Sequence, residues 1–511
     1  MACNYCKRNY WRSCTGTSIC FFLLIQVLSG YLFLHFGKEY QLQYSEELNN
    51  ITTKVNLYLG LSQKENRSIF SNNDTFTLQD DTNIYFKQFT VDLTCYITGT
   101  DFVATKIVVM NNDGKKNVTN SCICKRGYYG EDCGIPDAIW HSRYRKPEFT
   151  RLLKRRAKPR RIINGLPVLK EIDMLETRFN ELGDAVDLFM LGESNFSAHG
   201  DHKELYILKQ LENGFLKEFH HKILHVFVDF FPAKGKTESW IADEYLRVYM
   251  GKLGIPRVAG VRDDDLFIIS DADEIPSRPV IMFLKLYDGY TEPVAFVLRW
   301  SIYGFFWKSK SQDNLVSNLF NWKKEATTTV YAVTSMGVLR DVHKNDPFLI
   351  RKIKKYDAQA LLSAYERKHP GTFDPWEAGS AKHYAGWHCS WCFNPEGIVL
   401  KLDSAQAGDM PRWGDYPEKH DKNYLQSLIR DGRWFDGSKN MFLANPKEKY
   451  YAPPYMIKHS DKFASILFHP KQRKMLSQLS SRSSKNKQDT TKSGSPSPKY
   501  ASSTSKKYNT N

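Results

Sequence analysis

Residues 264–276, Asp-Asp-Leu-Phe-Ile-Ile-Ser-Asp-Ala-Asp-Glu-Ile-Pro, carry an apolar, strand-like run directly into three carboxylates and a proline. Parallel α/β sheets hold their ligands just beyond the carboxyl ends of the strands, so this pattern constrains both the fold and the place of its chemistry. Asp271 and Asp273, one residue apart at such an end, can share a hard divalent cation whose open positions accept diphosphate oxygens. The same residues also suit a solvated acidic turn after a core strand. The rest of the chain has to decide between the two.

From Arg161 onward the pattern alternates. Asp173 heads a helix with Leu175, Phe179 and Leu182 at helical spacing and Gly183 as its stop. Residues 185–191 read as a buried strand ending at Gly192-Glu193-Ser194-Asn195, and 223–228 as a second strand ending at Asp229. Helical spacing over 243–250 leads to the strand 266–270, followed by a helix over 279–287 and a strand over 294–298. Strands alternating with helices predict an α/β fold with a parallel, Rossmann-like sheet. No Gly-x-Gly-x-x-Gly follows the first strand and no P-loop is present, which argues against a dinucleotide enzyme of that type.

A chain of 511 residues with 41% hydrophobic content is long enough for one large domain plus appendages. Residues 19–36 are broken only by Cys20, Gln26, Ser29, Gly30, Tyr31 and His35, and follow Lys7, Arg8 and Arg12. Such a segment just spans a bilayer, and the positive charge keeps its amino-terminal side cytosolic, placing the remainder in the secretory lumen. A cleaved signal peptide is the competing reading, opposed by the lack of a small-x-small pattern before Lys38 and Glu39. The expected organisation is a cytosolic tail 1–18, an anchor 19–36, a stalk 37–94, a cysteine module 95–133, a basic linker 134–160, the α/β domain 161–470 and a disordered basic tail 471–511.

Cysteines and sequons agree with that topology. Cys3, Cys6, Cys14 and Cys20 fall on the cytosolic side or in the anchor, leaving an even six in the lumen. Asn50, Asn66, Asn73, Asn117 and Asn195 each head an Asn-x-Ser/Thr acceptor for glycosylation, and four of them precede residue 120, marking a glycosylated stalk. The net charge of +16 resembles a nucleic-acid signature until it is located: 141–161 hold ten Lys/Arg against one Glu, and 471–511 ten against one Asp, leaving −2 for the rest. Two basic flanks read as solvated linker and tail, with no nucleic acid as partner.

Cys122-x-Cys124, five residues, Gly130, two residues, Cys133 resembles the carboxyl half of an EGF-like domain. That resemblance implies a Cys124–Cys133 disulfide and leaves Cys95 for Cys122. Such a half-domain reads as a rigid spacer, with protein recognition as the alternative.

Three further segments sharpen the functional reading: 193–197 (Glu-Ser-Asn-Phe-Ser), 240–247 (Trp-Ile-Ala-Asp-Glu-Tyr-Leu-Arg) and 383–393 (His-Tyr-Ala-Gly-Trp-His-Cys-Ser-Trp-Cys-Phe), the last followed by Ala405-Gln406-Ala407-Gly408-Asp409 and Pro411-Arg412-Trp413-Gly414-Asp415-Tyr416. With the carboxylate cluster, they resemble the β-1,4-mannosyl-glycoprotein 4-β-N-acetylglucosaminyltransferase family, which adds a bisecting GlcNAc to N-glycans. The resemblance covers roughly residues 160–460. It implies a single-pass type II Golgi membrane protein with a lumenal, GT-A-type nucleotide-sugar domain. It also implies UDP-GlcNAc as donor, the β-linked core mannose of an N-glycan as acceptor, and inversion at the sugar. A related transferase with another acceptor, and an inactive adhesion ectodomain, are the competing readings.

Inverting transfer needs a base for the acceptor hydroxyl, a cation for the departing diphosphate and a pocket for an oxocarbenium-like sugar. Asp271 and Asp273 are the metal candidates, with His388 or His383 completing the shell and Mn²⁺ as the ion. Glu274 either contacts the donor or fixes the turn. Glu193 and Asp229, at strand ends, are donor-binding candidates against simple strand-end polarity. Trp387, Trp391, Trp413 and Trp434 offer flat faces for sugars or serve as core. Cys389 and Cys392 form a short-range disulfide or stay buried thiols. Asp374, Glu377, Asp409 and Asp415 are the candidate bases; Glu377, between Trp376 and Gly379 in a shaped loop, leads, with Asp415 as the second catalytic candidate.

Overall fold

In the computed structural model the described residues are 70–473, apart from 72–73, 112–120, 199, 237–238, 310–326, 353–358, 405–412 and 439–440. The cytosolic tail, the anchor, most of the stalk, Asn50, Asn66, Asn73, Asn117, Asp409 and nearly all of the basic tail lie outside them. No helix among the described residues is long and apolar enough to cross a membrane.

The apolar runs expected as parallel strands do lie side by side. β1 (Ile162–Pro167), β2 (Leu188–Ser194), β3 (Ile223–Val228) and β4 (Leu266–Ile269) pair in parallel in the order β3-β2-β1-β4. Their crossovers contain α1 (Ile172–Leu182), α2 (Tyr206–Glu212) and α3 (Ser239–Gly254). Side chains alternate across this sheet as the two-residue period of a strand requires. Ile162 and Leu166 pack with Leu175 and Phe179 on one face, while Ile163 packs with Met190, Met250 and Phe267 on the other. The strand after 185 starts at Leu188, three residues later than expected, so Gly192, Glu193 and Ser194 lie inside it. Gly183 follows α1 in right-handed conformation rather than as a left-handed stop.

Beyond β4 the sheet departs from the expected parallel order and becomes mixed. The turn enters β5 (Glu274–Pro276), then α4 (Arg278–Leu286), β6 (Glu292–Ile302), β7 (Thr327–Ser335), the short α5 (Phe348–Arg351), β8 (Phe373–Ala378), β9 (Gly386–Ser390) and α6 (Pro395–Ser404). β7 sits antiparallel between β4 and β6, β8 and β9 pair parallel to β6, and β5 is antiparallel to β9. β6, β8 and β9 thus run in the same direction as β1–β4; β7, whose sequence opens on three threonines, and β5 are the strands that run against them.

The described residues ahead of the α/β domain, from 70 onward, are built into it rather than spaced from it. Cys95 pairs with Cys122 and Cys124 with Cys133, as the resemblance implied. Phe76–Thr77 pairs with Val258–Ala259, and Arg257 donates to the Ser71 and Asp74 carbonyls. Phe70, Tyr96, Ile135, Ile139 and Tyr144 belong to the same apolar cluster as Ile162 and Phe179. A buried Lys285–Asp81 pair at 2.8 Å and a Tyr287–Asp132 hydrogen bond at 2.7 Å cross the same junction.

The basic linker is likewise docked in part: Lys146, Arg151, Lys154, Arg155 and Lys158 are exposed, but its arginines nearest the domain are paired. Arg156 pairs with Asp264 and Asp288, Arg160 with Asp288 at 2.6 Å, and buried Arg161 with fully buried Asp265 at 2.6 Å. Its charge therefore answers the acidic residues of the domain it precedes, which had left that domain slightly negative.

Asp137, just past the module, gathers this junction. Its carboxylate accepts from Tyr129 (3.1 Å), His383 (2.6 Å), Lys449 (2.6 Å) and Tyr450. Burial opposes its charge, but the His383, Lys449 and Tyr450 hydrogen bonds hold its pKa well below the usual carboxylate range.

Candidate active site

β1 is the strand from which the order reverses, with β2 on one side and β4 on the other, and a crevice opens at such a switch point. A cavity of about 270 Å³ occupies it. Its walls come from Val168 and Leu169 after β1, Ser194 and Phe196 at the end of β2, Tyr245 and Arg247 on α3, and Asp271–Asp273 after β4. His388 on β9 and Lys401 on α6 close the far side.

The carboxylate turn is held from beneath by Arg178 of α1, which is completely buried. Its guanidinium donates to Asn164 Oδ1 (3.1 Å), Ser270 Oγ (2.9 Å), the Asp271 carbonyl (2.6 Å) and the Glu274 carbonyl. Burial pushes its pKa down to about 10, against the pull of Glu274, Asp273 and Asp271, so it stays charged at neutral pH. Glu274 completes the turn by accepting the Asp271 amide (2.9 Å) and a two-pronged contact from Arg351 at 2.7 and 3.1 Å. Of the two roles open for Glu274 in the sequence, the structure gives it the turn.

The two aspartates differ in their surroundings. Asp271 meets Arg247 at Oδ1 and Arg351, 3.6 Å away, at Oδ2. Burial would raise its pKa, but Arg247 and Arg351 outweigh that and hold it below the usual carboxylate range. Asp273 lies 3.2 Å from Lys401 Nζ and 3.8 Å from His388 Nε2. For a cation with bonds of about 2.1 Å, two ligand atoms stand roughly 3–4 Å apart, so the Asp273–His388 spacing suits a shared divalent ion once His388 Nε2 gives up its 3.0 Å contact with Ser390 Oγ. Asp271, held by Arg247 and Arg351, does not converge with them into a three-ligand group as the side chains stand. The second nitrogen of His388 faces Thr328 Oγ1 at 3.2 Å, which sets the ring's orientation.

A second group, Asp137, His141 and His383, also brings possible metal ligands within reach of one another. It suits a cation poorly. Asp137 already accepts Lys449 and two tyrosines, and the two imidazoles stack in parallel, 3.6 Å apart, so their lone pairs do not converge. His383 thus belongs to the module junction and not to the metal shell.

Several other expectations move. Glu193, read as a donor contact, is fully buried; its oxygens accept the Ile207 and Leu208 amides of α2 at 2.8 and 2.9 Å, and His225 lies 3.1 Å away. It caps a helix. Asp229 is exposed just past β3 and does not line the cavity. Trp387, Trp391 and Trp413 are buried core, and Trp434 packs half-buried on Phe435. Cys389 and Cys392 are bonded to each other. Asn195 is half-buried with its amide oxygen enclosed, unlike the exposed acceptor a glycan needs.

Glu377 is displaced as the base. It pairs with Ala295 on β6, whereas His388 pairs with Trp300, five residues further along the same strand. At about 3.3 Å per residue that is roughly 16 Å, far beyond the ~3 Å reach of a proton-abstracting group. Glu377→Gln should therefore leave turnover within about twofold of the parent; a large loss of kcat with unchanged donor binding would restore it. Asp374 is tied to Arg143 at 2.8 Å, and Asp415 is exposed on a short turn beside α6.

What the sequence reading missed is cationic. Lys203, Arg247 and Lys401 reach the cavity from three separate segments, and Glu171 joins them from the loop before α1. Burial lowers the pKa of Lys203. For Lys401 burial acts the same way but Asp273 and Glu171 outweigh it, holding its pKa above the ordinary lysine value. Only their folding together reveals the set, since no spacing in the sequence links them.

An acid turn at the switch point of an α/β sheet, with Lys203, Arg247 and Lys401 around it, forms a charged crevice. Residues 150–369 match the glycosyltransferase family 17 pattern. The chain is 43% identical over 362 residues to a mouse protein named β-1,4-mannosyl-glycoprotein 4-β-N-acetylglucosaminyltransferase, covering 71% of this chain and 64% of the relative. Rat and human proteins of the same name are each 44% identical, covering 68% and 69% of this chain and 62% of either relative. The chain thus spans a little under two thirds of the length of the curated relatives it matches.

Proposed function

We propose that this chain transfers GlcNAc from UDP-GlcNAc, with inversion, in β-1,4 linkage to the β-linked core mannose of an N-glycan. The reading is carried by the acid-and-cation cavity at the switch point of a chain that matches the family 17 pattern and whose relatives bear that enzyme's name. The donor's diphosphate fits beside Lys203, Arg247 and Lys401. Asp273 and His388, with Asp271 once it is released from its arginine partners, would hold a divalent cation, Mn²⁺ in this proposal, and the cation would supply charge neutralisation for the departing diphosphate. Glu274 and Arg178 keep the backbone of the turn fixed, so ligand entry exchanges the ion pairs of the carboxylates without moving the turn. Asp415 is the remaining candidate for the base; it is exposed on a turn beside α6 and does not line the cavity. The anchor read at residues 19–36 would place the domain in the Golgi lumen.

Acceptor-dependent UDP release tests the proposal. Purified protein with Mn²⁺, UDP-GlcNAc and a biantennary N-glycan is expected to release UDP. EDTA is expected to stop the release, and added Mn²⁺ to restore it. Release that persists unchanged in EDTA would replace the metal by the Arg and Lys clamp alone, and none under any condition would end the transferase reading.

A further inference from the structure

The charged groups lining the cavity are balanced. Glu171, Asp271 and Asp273 face Lys203, Arg247 and Lys401. A divalent cation entering alone meets three fixed positive charges, and a nucleoside diphosphate entering alone meets three negative ones. Arriving together, they restore the balance. Among the cations, Lys401 is the one suited to change partners. Its side chain is 19% exposed against 6% for Arg247, and its Nζ sits 3.2 Å from Asp273 Oδ2 and 3.8 Å from Glu171 Oε1. An ammonium is a point charge on a four-carbon stem with rotatable donors, whereas Arg247 is committed as a fork to Asp271. The rings of Trp391 and Phe393, each 5.5 Å from Nζ, give Lys401 a cationic resting place that does not depend on the carboxylates.

We propose that Lys401 is an exchange cation: it neutralises Asp273 in the empty site, competes there with the divalent ion, and turns to the diphosphate when ion and nucleotide bind together. This rests on the nucleotide-sugar reading above and adds a specific role that reading does not require. Its consequence is a change of opposite sign for the two ligands. Removing the ammonium frees Asp273 and should tighten Mn²⁺ binding, while leaving that carboxylate uncompensated toward the diphosphate and weakening UDP.

The test uses the full chain, with Mn²⁺ alone and UDP alone as probes. Free Mn²⁺ is followed by electron paramagnetic resonance, and UDP binding in EDTA by calorimetry. Lys401→Met, which keeps the apolar stem, is expected to bind Mn²⁺ about fivefold more tightly and UDP about fivefold or more weakly. Lys401→Arg, which keeps the charge, is expected to stay within about twofold of the parent in UDP affinity, and its thermal melt checks folding against Lys401→Met. Both affinities falling in Lys401→Met, or neither changing, would overturn the exchange role while leaving the transferase reading intact. If the parent protein binds UDP but no Mn²⁺, the exchange role fails together with the metal part of that reading.

Discussion

A chain beginning at Arg161 is expected to be insoluble or unfolded and to show no transfer, although the matched family domain lies almost wholly within it. Starting there deletes Phe70, Tyr96, Ile135, Ile139 and Tyr144 from the main core and leaves Lys285 without Asp81. Full burial of each such side chain contributes about 1.5–3 kcal/mol, so the five together approach the roughly 5–15 kcal/mol that holds a whole domain folded. The loss of Arg156 and Arg160 also strands Asp288, and Asp137 no longer joins His383 to Lys449 and Tyr450. Circular dichroism and size-exclusion chromatography check the outcome. A folded, monodisperse and active protein starting at Arg161 would return the module to the spacer role expected from sequence.

Asp273→Asn is expected to lower turnover by about 10³-fold with the fold intact, the scale seen when a group opposing developing charge is removed. Asp273 is the aspartate whose oxygens face an exchangeable lysine and His388, so its loss removes the better-placed ligand for a divalent ion. Asp271→Asn should also be severe, for a partly different reason, because Arg247 and Arg351 would face the cavity with one carboxylate fewer between them. Mn²⁺ affinity separates the two: it should fall more in Asp273→Asn. Near-parental turnover in both variants would remove the carboxylates from the chemistry.

The strand running into the carboxylate turn was legible from its apolar run, and the four parallel strands were readable for the same reason. The mixed half was not. The expected strand 294–298 does run in the same direction as β4, but the antiparallel strand Thr327–Ser335 that separates the two was not read from the sequence. The docked linker was misread because ten basic residues look solvated until Asp264, Asp265 and Asp288 are brought to meet them. Glu193 was misread for a related reason: a strand-end carboxylate suits a ligand or a helix amino terminus equally well in sequence, and here the α2 amides took it. Lys401 was invisible because it lies 128 residues from the aspartate it answers. Glu377 looked like a base from its neighbours, and only strand register shows how far it sits from the cavity.

The transfer itself is best judged on the product. Parent protein incubated with Mn²⁺, UDP-GlcNAc and a biantennary N-glycan, followed by mass spectrometry and nuclear magnetic resonance of the isolated glycan, is expected to give one added GlcNAc, β-configured, on O4 of the β-linked core mannose. Addition to another sugar or in the α configuration, or UDP release with an unmodified glycan, would contradict the account.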